Sequence, residues 1–223
     1  MAFNYSPKIV TDGLVLYLDA ANPNSYVSGS TTWRDISRGG NNGTLVNGPT
    51  FNSANGGSIV FDGTNDFIST NFTQTFTSEL TVETWYRGTK IIRNHLWNFG
   101  SSVANNLYCN FNDTGRTLWV YWQGNGTPAI RFTTINFTDS NIHHLVFRHS
   151  GSINQIYFDG QLLTPQETAG TQTFTGGGVG GSYNIAGSPF FGGNVYTNRI
   201  YNRALSQQEI LQNYNATKTR FGL

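Results

Sequence analysis

The sequence predicts an all-β fold, a sandwich or a barrel, formed as a single domain. The length of 223 residues is typical of one such unit, because all-β sandwiches commonly run to about 200–250 residues. Short apolar or alternating segments recur about every 8–12 residues, a spacing that favours a sandwich or barrel over βαβ units. Asn-Gly and Asp-Gly pairs separate these segments, for example at Asn42, Asp62 and Asp159, and they suit turns because both residues tolerate positive φ.

Predicted strands follow one another along almost the whole chain. Each is a short apolar or alternating stretch bounded by Gly, Asn, Asp or Ser, which is how strands are recognised in a sequence. The predicted strands are Leu14–Leu18, Gly43–Val46, Ser58–Phe61, Phe67–Ser69, Leu80–Arg87, Leu96–Phe99, Leu107–Phe111, Thr117–Gln123, Ala129–Thr133, His143–His149, Gln155–Phe158, Asn184–Ala186 and Asn194–Tyr201.

One helix is predicted, over residues 206–216. Ser206 followed three positions later by Glu209 is a capping box, in which both side chains satisfy free backbone donors at the helix start. Ile210 and Tyr214 are four residues apart and are predicted to lie on one face, against the sandwich. The single domain then spans residues 1–223, with an N-terminal arm of residues 1–12 and a tail of residues 217–223.

A glycine-rich stretch, Gly176–Gly181, is predicted to be a mobile surface loop. It lacks the Lys and Ser/Thr of a phosphate-binding loop, so it does not indicate nucleotide binding.

Composition and charge exclude several partner classes. The formal net charge is +1, which provides no basic field and argues against a nucleic-acid partner. No segment approaches the ~20 apolar residues of a membrane span, so no membrane partner is predicted. The N-terminus has no unbroken apolar stretch like that of a secretory signal, so synthesis in the cytoplasm is expected.

No catalytic signature is present, and the protein is predicted not to be an enzyme. Glu79 and Glu83 lie on one face of a predicted strand about 13 Å apart, beyond the ~5–10 Å that glycoside hydrolysis requires. They are interpreted as solvated strand positions or as residues at a strand end. His143 and His144 are adjacent and point to opposite faces of a strand, so they cannot share a metal. Cys109 is interpreted as a small core residue.

A calcium site is the only cofactor hypothesis that the sequence offers. Asp62, Asn65 and Asp66 can present three oxygens from one turn, whereas Ca²⁺ takes six to eight. In the other interpretation, Asp62 accepts hydrogen bonds from the backbone of its own turn, as Asp commonly does.

Aromatic side chains on two predicted strands are the candidate ligand-binding residues. Alternation places Trp119 and Tyr121 opposite Leu118 and Val120, and it places Trp85 on the face opposite the apolar residues of its own strand. Such rings can stack against a sugar while amides bind its hydroxyls. Alternatively, both faces of these strands are covered and the rings are core residues.

Several stretches together resemble the laminin-G-like branch of the concanavalin A-like lectin/glucanase superfamily. The resemblance implies a two-sheet antiparallel jelly-roll sandwich with one short C-terminal helix that closes an edge. The Glu-x-Asp-x-x-Glu strand of the related glucanases is absent. The matching stretches are Gly13–Ala20, Ile59–Phe67, Leu80–Trp85, Ile142–Phe147, Ile156–Gly160 and Arg199–Ser206.

The chain is also similar to stand-alone laminin-G-like proteins of tailed bacteriophages. The similarity lies in residues Met1–Asn24, Trp33–Gly43, Leu211–Thr217 and Arg220–Gly222. It implies a virion component, either a head decoration or part of a tail fibre. The expected partners are other virion proteins, surface glycans and further copies of the chain.

Three functions follow as hypotheses, and a fourth, a generic assembly or interaction domain, differs from the first only in location. The first is a non-enzymatic virion surface protein with a lectin-like fold, and the second is a dedicated carbohydrate-binding module. The third is a glycoside hydrolase, which the missing catalytic strand disfavours.

Overall fold

In a computed structural model the chain forms two antiparallel β-sheets that pack face to face, which confirms the predicted fold class. The structure describes residues 8–76, 79–89, 94–102, 105–112, 117–123, 128–132, 135–151, 153–168, 172–179 and 190–223. The predicted strand Asn184–Ala186 lies outside these residues.

Strands occupy most of the described part of the chain. They are β1 (Leu14–Asp19), β2 (Thr32–Trp33), β3 (Gly43–Val46), β4 (Thr50–Asn52), β5 (Ser58–Asp62), β6 (Phe67–Phe76), β7 (Glu79–Gly88), β8 (Asn94–Ser102), β9 (Asn105–Asn112), β10 (Thr117–Gln123), β11 (Pro128–Phe132), β12 (His143–Ser150), β13 (Ile153–Phe158), β14 (Gln161–Thr168), β15 (Gln172–Val179) and β16 (Gly192–Tyr201). Helix α1 (Gln207–Lys218) follows, and short 3-10 turns occupy Ala54–Gly56 and Thr219–Phe221.

Within the described residues, each sheet contains eight strands. The first sheet has the order β14-β13-β12-β7-β16-β5-β4, and β1 also pairs with β16. The second has the order β11-β10-β9-β8-β15-β6-β3-β2. Long strands therefore occupy the centre of each sheet, and one edge of each sheet is a strand of only two or three residues.

The main core lies between the sheets and is built by alternation along their strands. Leu80, Val82 and Tyr86 face inward from β7, as predicted, and Leu118 and Val120 face inward from β10. The Tyr86 ring stacks on Phe111 of the opposite sheet, with centroids 5.3 Å apart. Burial of apolar surface at about 25 cal/mol per Å² makes these inner faces the main source of stability.

Gly176, Gly177 and Gly178 contradict the prediction of a loop, whereas Gly180 and Gly181 lie outside the described residues. Residues up to Val179 belong to β15, which pairs with both β6 and β8. Gly177 lies opposite Phe99, and Gly178 lies opposite Asn98. Pairing on both sides satisfies the backbone groups of these residues, and this tertiary effect outweighs the low strand preference of glycine.

Helix α1 confirms the capping box but extends further than predicted. The Ser206 hydroxyl accepts from the Glu209 backbone N–H at 3.2 Å, and the Glu209 carboxylate accepts from the Ser206 backbone N–H at 2.8 Å. The helix continues to Lys218, so its predicted end at residue 216 was wrong. Thr217 is buried and its hydroxyl lies 3.3 Å from Arg199 Nη2, which holds the last turn on the sheet.

The helix covers a face of the first sheet instead of closing an edge. Ile210 packs with Val146, Tyr157 and Tyr201, which point outward from β12, β13 and β16. These residues form a second, smaller core on the outer side of the sheet. No helix in the described part of the chain is both long and apolar enough to cross a membrane.

Candidate functional site

Trp85 does not provide an exposed stacking surface, which corrects the prediction for this residue. Its side chain is 0% exposed. The Tyr214 ring of α1 stacks on it at 5.6 Å with an interplanar angle of 7°, and the Phe221 ring lies 4.7 Å away. The C-terminal segment therefore occupies the ring face that a sugar would need.

A charged network is sealed beneath the same helix, around Glu83. Glu83 is 0% exposed, so its interpretation as a solvated strand residue was wrong. Arg199 Nη1 donates to one oxygen of this carboxylate, and Asn213 Nδ2 donates to the other at 2.6 Å. His144 Nε2 lies 3.2 Å from the first oxygen. The network joins β7, β16 and β12 to the helix.

The partners of Glu83 keep it ionised in spite of its burial. Burial by itself raises the pKa of a carboxyl group, but the Arg199 charge, with hydrogen bonding from His144 and Asn213, lowers the pKa of Glu83 to about 2. A buried ion pair of this kind is costly to break, because the remaining charge has no partner. The enclosed carboxylate is therefore a structural group that holds the helix on the sheet.

The outer face of the second sheet carries the remaining candidate residues. Trp119 points away from the core and is half-buried, and it lies directly opposite Asn110 on β9. Tyr108 is also half-buried, and its ring stacks on His95 with centroids 4.9 Å apart. Tyr121 pairs with Tyr108 through its backbone, but its side chain lies outside the described part of the structure.

Rings and amides thus lie side by side on this face. Asn98 and Asn110 are buried next to Tyr108 and Trp119, on neighbouring positions of β8, β9 and β10. An aromatic ring offers apolar area with a polar edge, and an amide supplies both donors and acceptors. Asn98 and Asn110 are buried, so the half-buried rings of Trp119 and Tyr108 are the groups of this set that a polyhydroxylated ligand can reach.

The turn that contains Asp62, Asn65 and Asp66 is organised by backbone hydrogen bonds. Asp62 Oδ1 accepts from the N–H groups of Thr64 at 2.7 Å and Asn65 at 3.3 Å, as the second interpretation predicted. Asp66 Oδ2 accepts from the Asp62 N–H at 3.0 Å. Among the described residues no group of three His, Cys, Asp or Glu is arranged to hold a metal. Asp62, Asn65 and Asp66 supply three of the six to eight oxygens that Ca²⁺ takes, so calcium binding at this turn stays a prediction that also needs carbonyls and waters.

His143 is held between two aspartates at one end of the first sheet, a histidine clamp that the sequence does not predict. His143 Nδ1 lies 2.8 Å from Asp159 Oδ2, and His143 Nε2 lies 2.9 Å from Asp139 Oδ1. Asp159 Oδ1 also accepts from the His144 backbone N–H at 2.8 Å. Burial lowers the pKa of the imidazole, but the two carboxylates outweigh it and raise the pKa above its ordinary value. The spacing of these residues in the chain does not reveal the contact, because a turn and a β-hairpin create it.

The clamp predicts a pH-dependent contribution to stability. Because the pKa of His143 is raised on folding, its stabilisation is fully present below pH 6.5 and is lost as the pH rises through the raised value. Burial lowers the pKa of His149 below its ordinary value, so this residue reduces the stability of the folded state as the pH falls below 6.5. We expect the decline above pH 6.5 to disappear in His143→Gln, as measured by urea unfolding across pH. An NMR titration that places the pKa of His143 at or below 6.5 would contradict the clamp.

Family comparison agrees with the observed architecture. Residues 62–211 match a laminin G family model of the concanavalin A-like lectin/glucanases superfamily, which is more than half of the chain. No curated protein sequence is significantly similar to the chain.

Solved structures with the same fold include two sugar-bound proteins. A Trypanosoma rangeli sialidase in complex with sialic acid superposes with a TM-score of 0.70 and 16% identity, over 93% of this chain and 33% of the sialidase. The botulinum neurotoxin serotype D ligand binding domain in complex with N-acetylneuraminic acid superposes with a TM-score of 0.70 and 11% identity, over 92% of this chain and 51% of that domain. The chain thus spans about a third of the first protein and half of the second, and at these identities the likeness concerns the fold alone.

Proposed function

The chain belongs to the concanavalin A-like lectin/glucanases superfamily, and on that premise we propose that it is a non-enzymatic glycan-binding module. The observation that carries the proposal is the difference between its two outer faces. Helix α1 covers the outer face of the first sheet, whereas the outer face of the second sheet carries half-buried Trp119 and Tyr108 beside amide side chains. Two proteins that contain this fold in a third and a half of their length were solved with sialic acids bound, which supports a sugar as the ligand class.

The chemistry of the carboxylates supports binding without catalysis. Glu83 is enclosed beneath α1 and already bonded on both oxygens, so it cannot reach a substrate. Asp62 and Asp66 bond to the backbone of their own turn. Glycoside hydrolysis needs two carboxyl groups on either side of the scissile bond, one of them free to donate a proton.

Replacing Trp119 with Ala is expected to weaken glycan binding about tenfold, because the ring face that stacks on the sugar is lost. A glycan array that includes sialylated and neutral glycans identifies the ligand, and calorimetry then measures the dissociation constant. Trp119→Phe retains an aromatic face and should bind within about threefold of the wild type. Leu211→Ala, at an exposed position on α1, serves as a control that should bind normally.

An array without signal, or unchanged affinity in Trp119→Ala, would contradict the proposal. Circular dichroism melts of each variant separate a loss of binding from a loss of folding.

The location proposed for this module is the surface of a tailed-bacteriophage particle, as a head decoration or a tail-fibre component bound to other virion proteins. The proposal rests on the resemblance, inferred from the sequence, of residues 1–24, 33–43, 211–217 and 220–222 to phage laminin-G-like proteins. The low content of charged residues, 11%, and a single buried cysteine suit a domain exposed on a particle. Cryo-electron microscopy of the particle should show the sandwich on the head or tail, and its absence from both would refute this location.

A further inference from the structure

A groove of about 680 Å³ lies beside the first sheet, away from the ring-bearing face of the second. It is bounded on one side by the segment that leads into β1 and on the other by the loop before β3. The volume is within the ~300–1,000 Å³ of pockets that bind small ligands. Its lining includes Asp12, Leu14, Val15, Ile36, Arg38 and Asn202.

The loop wall is held against the edge of β1 by a set of specific hydrogen bonds. Asp35 Oδ1 accepts from the N–H groups of Tyr17 and Ser37, both at 2.8 Å. The Ile36 N–H donates to the Tyr17 carbonyl at 2.9 Å, and Asn41 Nδ2 donates to the Val15 carbonyl at 3.0 Å. The loop therefore occupies the edge of β1 that a further strand would use, and the groove is formed before any ligand binds.

The opposite wall is fixed by the end of β16. The Asn202 N–H donates to the Gly13 carbonyl at 2.9 Å. Gly13 has φ +73°, and a Cβ there would lie 2.9 Å from Arg203 Cγ, so a larger residue would disturb this wall. Arg203 Nε lies 2.9 Å from Asp12 Oδ2, which orients the carboxylate at the rim.

The two walls differ in charge. Asp12 is a carboxylate with an exposed side chain, and Arg203, its partner, is also bonded to Glu209 through both terminal nitrogens. Arg38 is exposed on the other wall, and the described residues give its guanidinium no hydrogen bond or ion pair. One wall of the groove therefore offers the Arg38 cation. The other wall offers the Asp12 carboxylate as an acceptor, together with the Asn202 amide. Leu14, Val15 and Ile36 supply an apolar surface.

From this arrangement we infer that the groove binds an anionic saccharide unit of the uronic-acid class. The sugar carboxylate accepts hydrogen bonds from the Arg38 guanidinium, since a guanidinium fork matches a carboxylate. Ring hydroxyls donate to Asp12 and accept from the Asn202 amide, and the C–H face of the ring packs on the aliphatic side chains. A free phosphate fits less well, because it would leave the hydroxyl-matching groups and the apolar surface unused. The site is independent of the proposed Trp119 face.

The test compares two ligands that differ in one group. Methyl glucuronide carries a carboxylate where methyl glucoside carries a hydroxymethyl group, so the difference in affinity reports the contact with Arg38. In NMR titrations of the full chain at low ionic strength, we expect the glucuronide to bind about tenfold more tightly. Arg38→Gln should abolish this preference. Arg34→Gln, an exposed arginine on the same segment but outside the groove, should retain it.

Repeating the titrations with Trp119→Ala distinguishes the two sugar sites. This substitution should leave the preference for glucuronide intact. Equal affinity for the two ligands, no binding of the glucuronide, or an undiminished preference in Arg38→Gln would each overturn the inference. The inference would also be overturned if Trp119→Ala removed the preference for glucuronide and Arg38→Gln preserved it. The glucuronide would then bind on the second sheet.

Discussion

Replacing Arg199 with Leu is expected to lower the free energy of unfolding by about 3–5 kcal/mol, because it leaves the Glu83 carboxylate charged and unpaired in the interior. Arg199 is 1% exposed and Glu83 is 0% exposed, so water cannot replace the missing partner. Arg199 also reaches Tyr17 and Thr217 through Nη2, each at 3.3 Å, and these contacts are lost as well. Urea unfolding at neutral pH measures the change.

The double variant Glu83→Leu/Arg199→Leu distinguishes an unpaired charge from a simple loss of packing. Replacing both members of a buried pair by apolar residues is often close to neutral, so the double variant should recover much of the stability that Arg199→Leu loses. An Arg199→Leu variant that loses less than about 1 kcal/mol would mean that the pair is hydrated and does not hold the helix.

The same pair also predicts how the wild type responds to acid. Because the pKa of Glu83 falls on folding from its ordinary 4.5 to about 2, its stabilisation is present above pH 4.5 and is lost as the pH falls towards 2. The double variant lacks this component and should lose less stability over that range.

Replacing Trp85 with Ala is expected to cost about 3–5 kcal/mol, because it empties a fully buried site between the sheet and the C-terminal segment. The rings of Tyr214, Phe221 and His144 all lie within 5.6 Å of the Trp85 ring, and each loses its contact. Helix α1 should become the least protected part of the molecule, which amide hydrogen exchange measures. Trp85→Phe retains a ring and should lose less than half as much.

Glycan binding, unlike stability, should not depend on Trp85. The structure predicts that Trp85→Ala, under conditions in which it remains folded, binds glycans as the wild type does. A Trp85→Ala variant with wild-type stability and lost binding would contradict the sealed face and restore Trp85 as a stacking residue.

Local patterns were sufficient to predict the architecture. Alternation and turn residues identified β1, β3 and β10 to within about a residue, and the capping box located the start of α1. The strands β2, β4, β14 and β15 were missed because they are short, polar or glycine-rich. Their pairing comes from neighbours far away in the chain, which a local pattern cannot contain.

The candidate site was predicted only in part, for the same reason. Alternation placed Trp85 and Trp119 on the outer faces of their strands, and the structure agrees for both. Helix α1 and its inward-facing Asn213 determine which outer face is covered. This helix lies more than 100 residues beyond β7 in the chain. Asn213 and Thr217 are buried polar residues of α1, and polar residues on the buried side of a helix are a sequence signal for a polar partner beneath it.

Backbone amide shifts on addition of the tightest-binding glycan test the central claim most directly. We predict that the largest shifts occur in β9 and β10, around Tyr108, Asn110 and Trp119, and that the amides of α1 do not move. Shifts centred on α1 and β7, with none on β9 and β10, would show that the glycan binds the face that the helix seals.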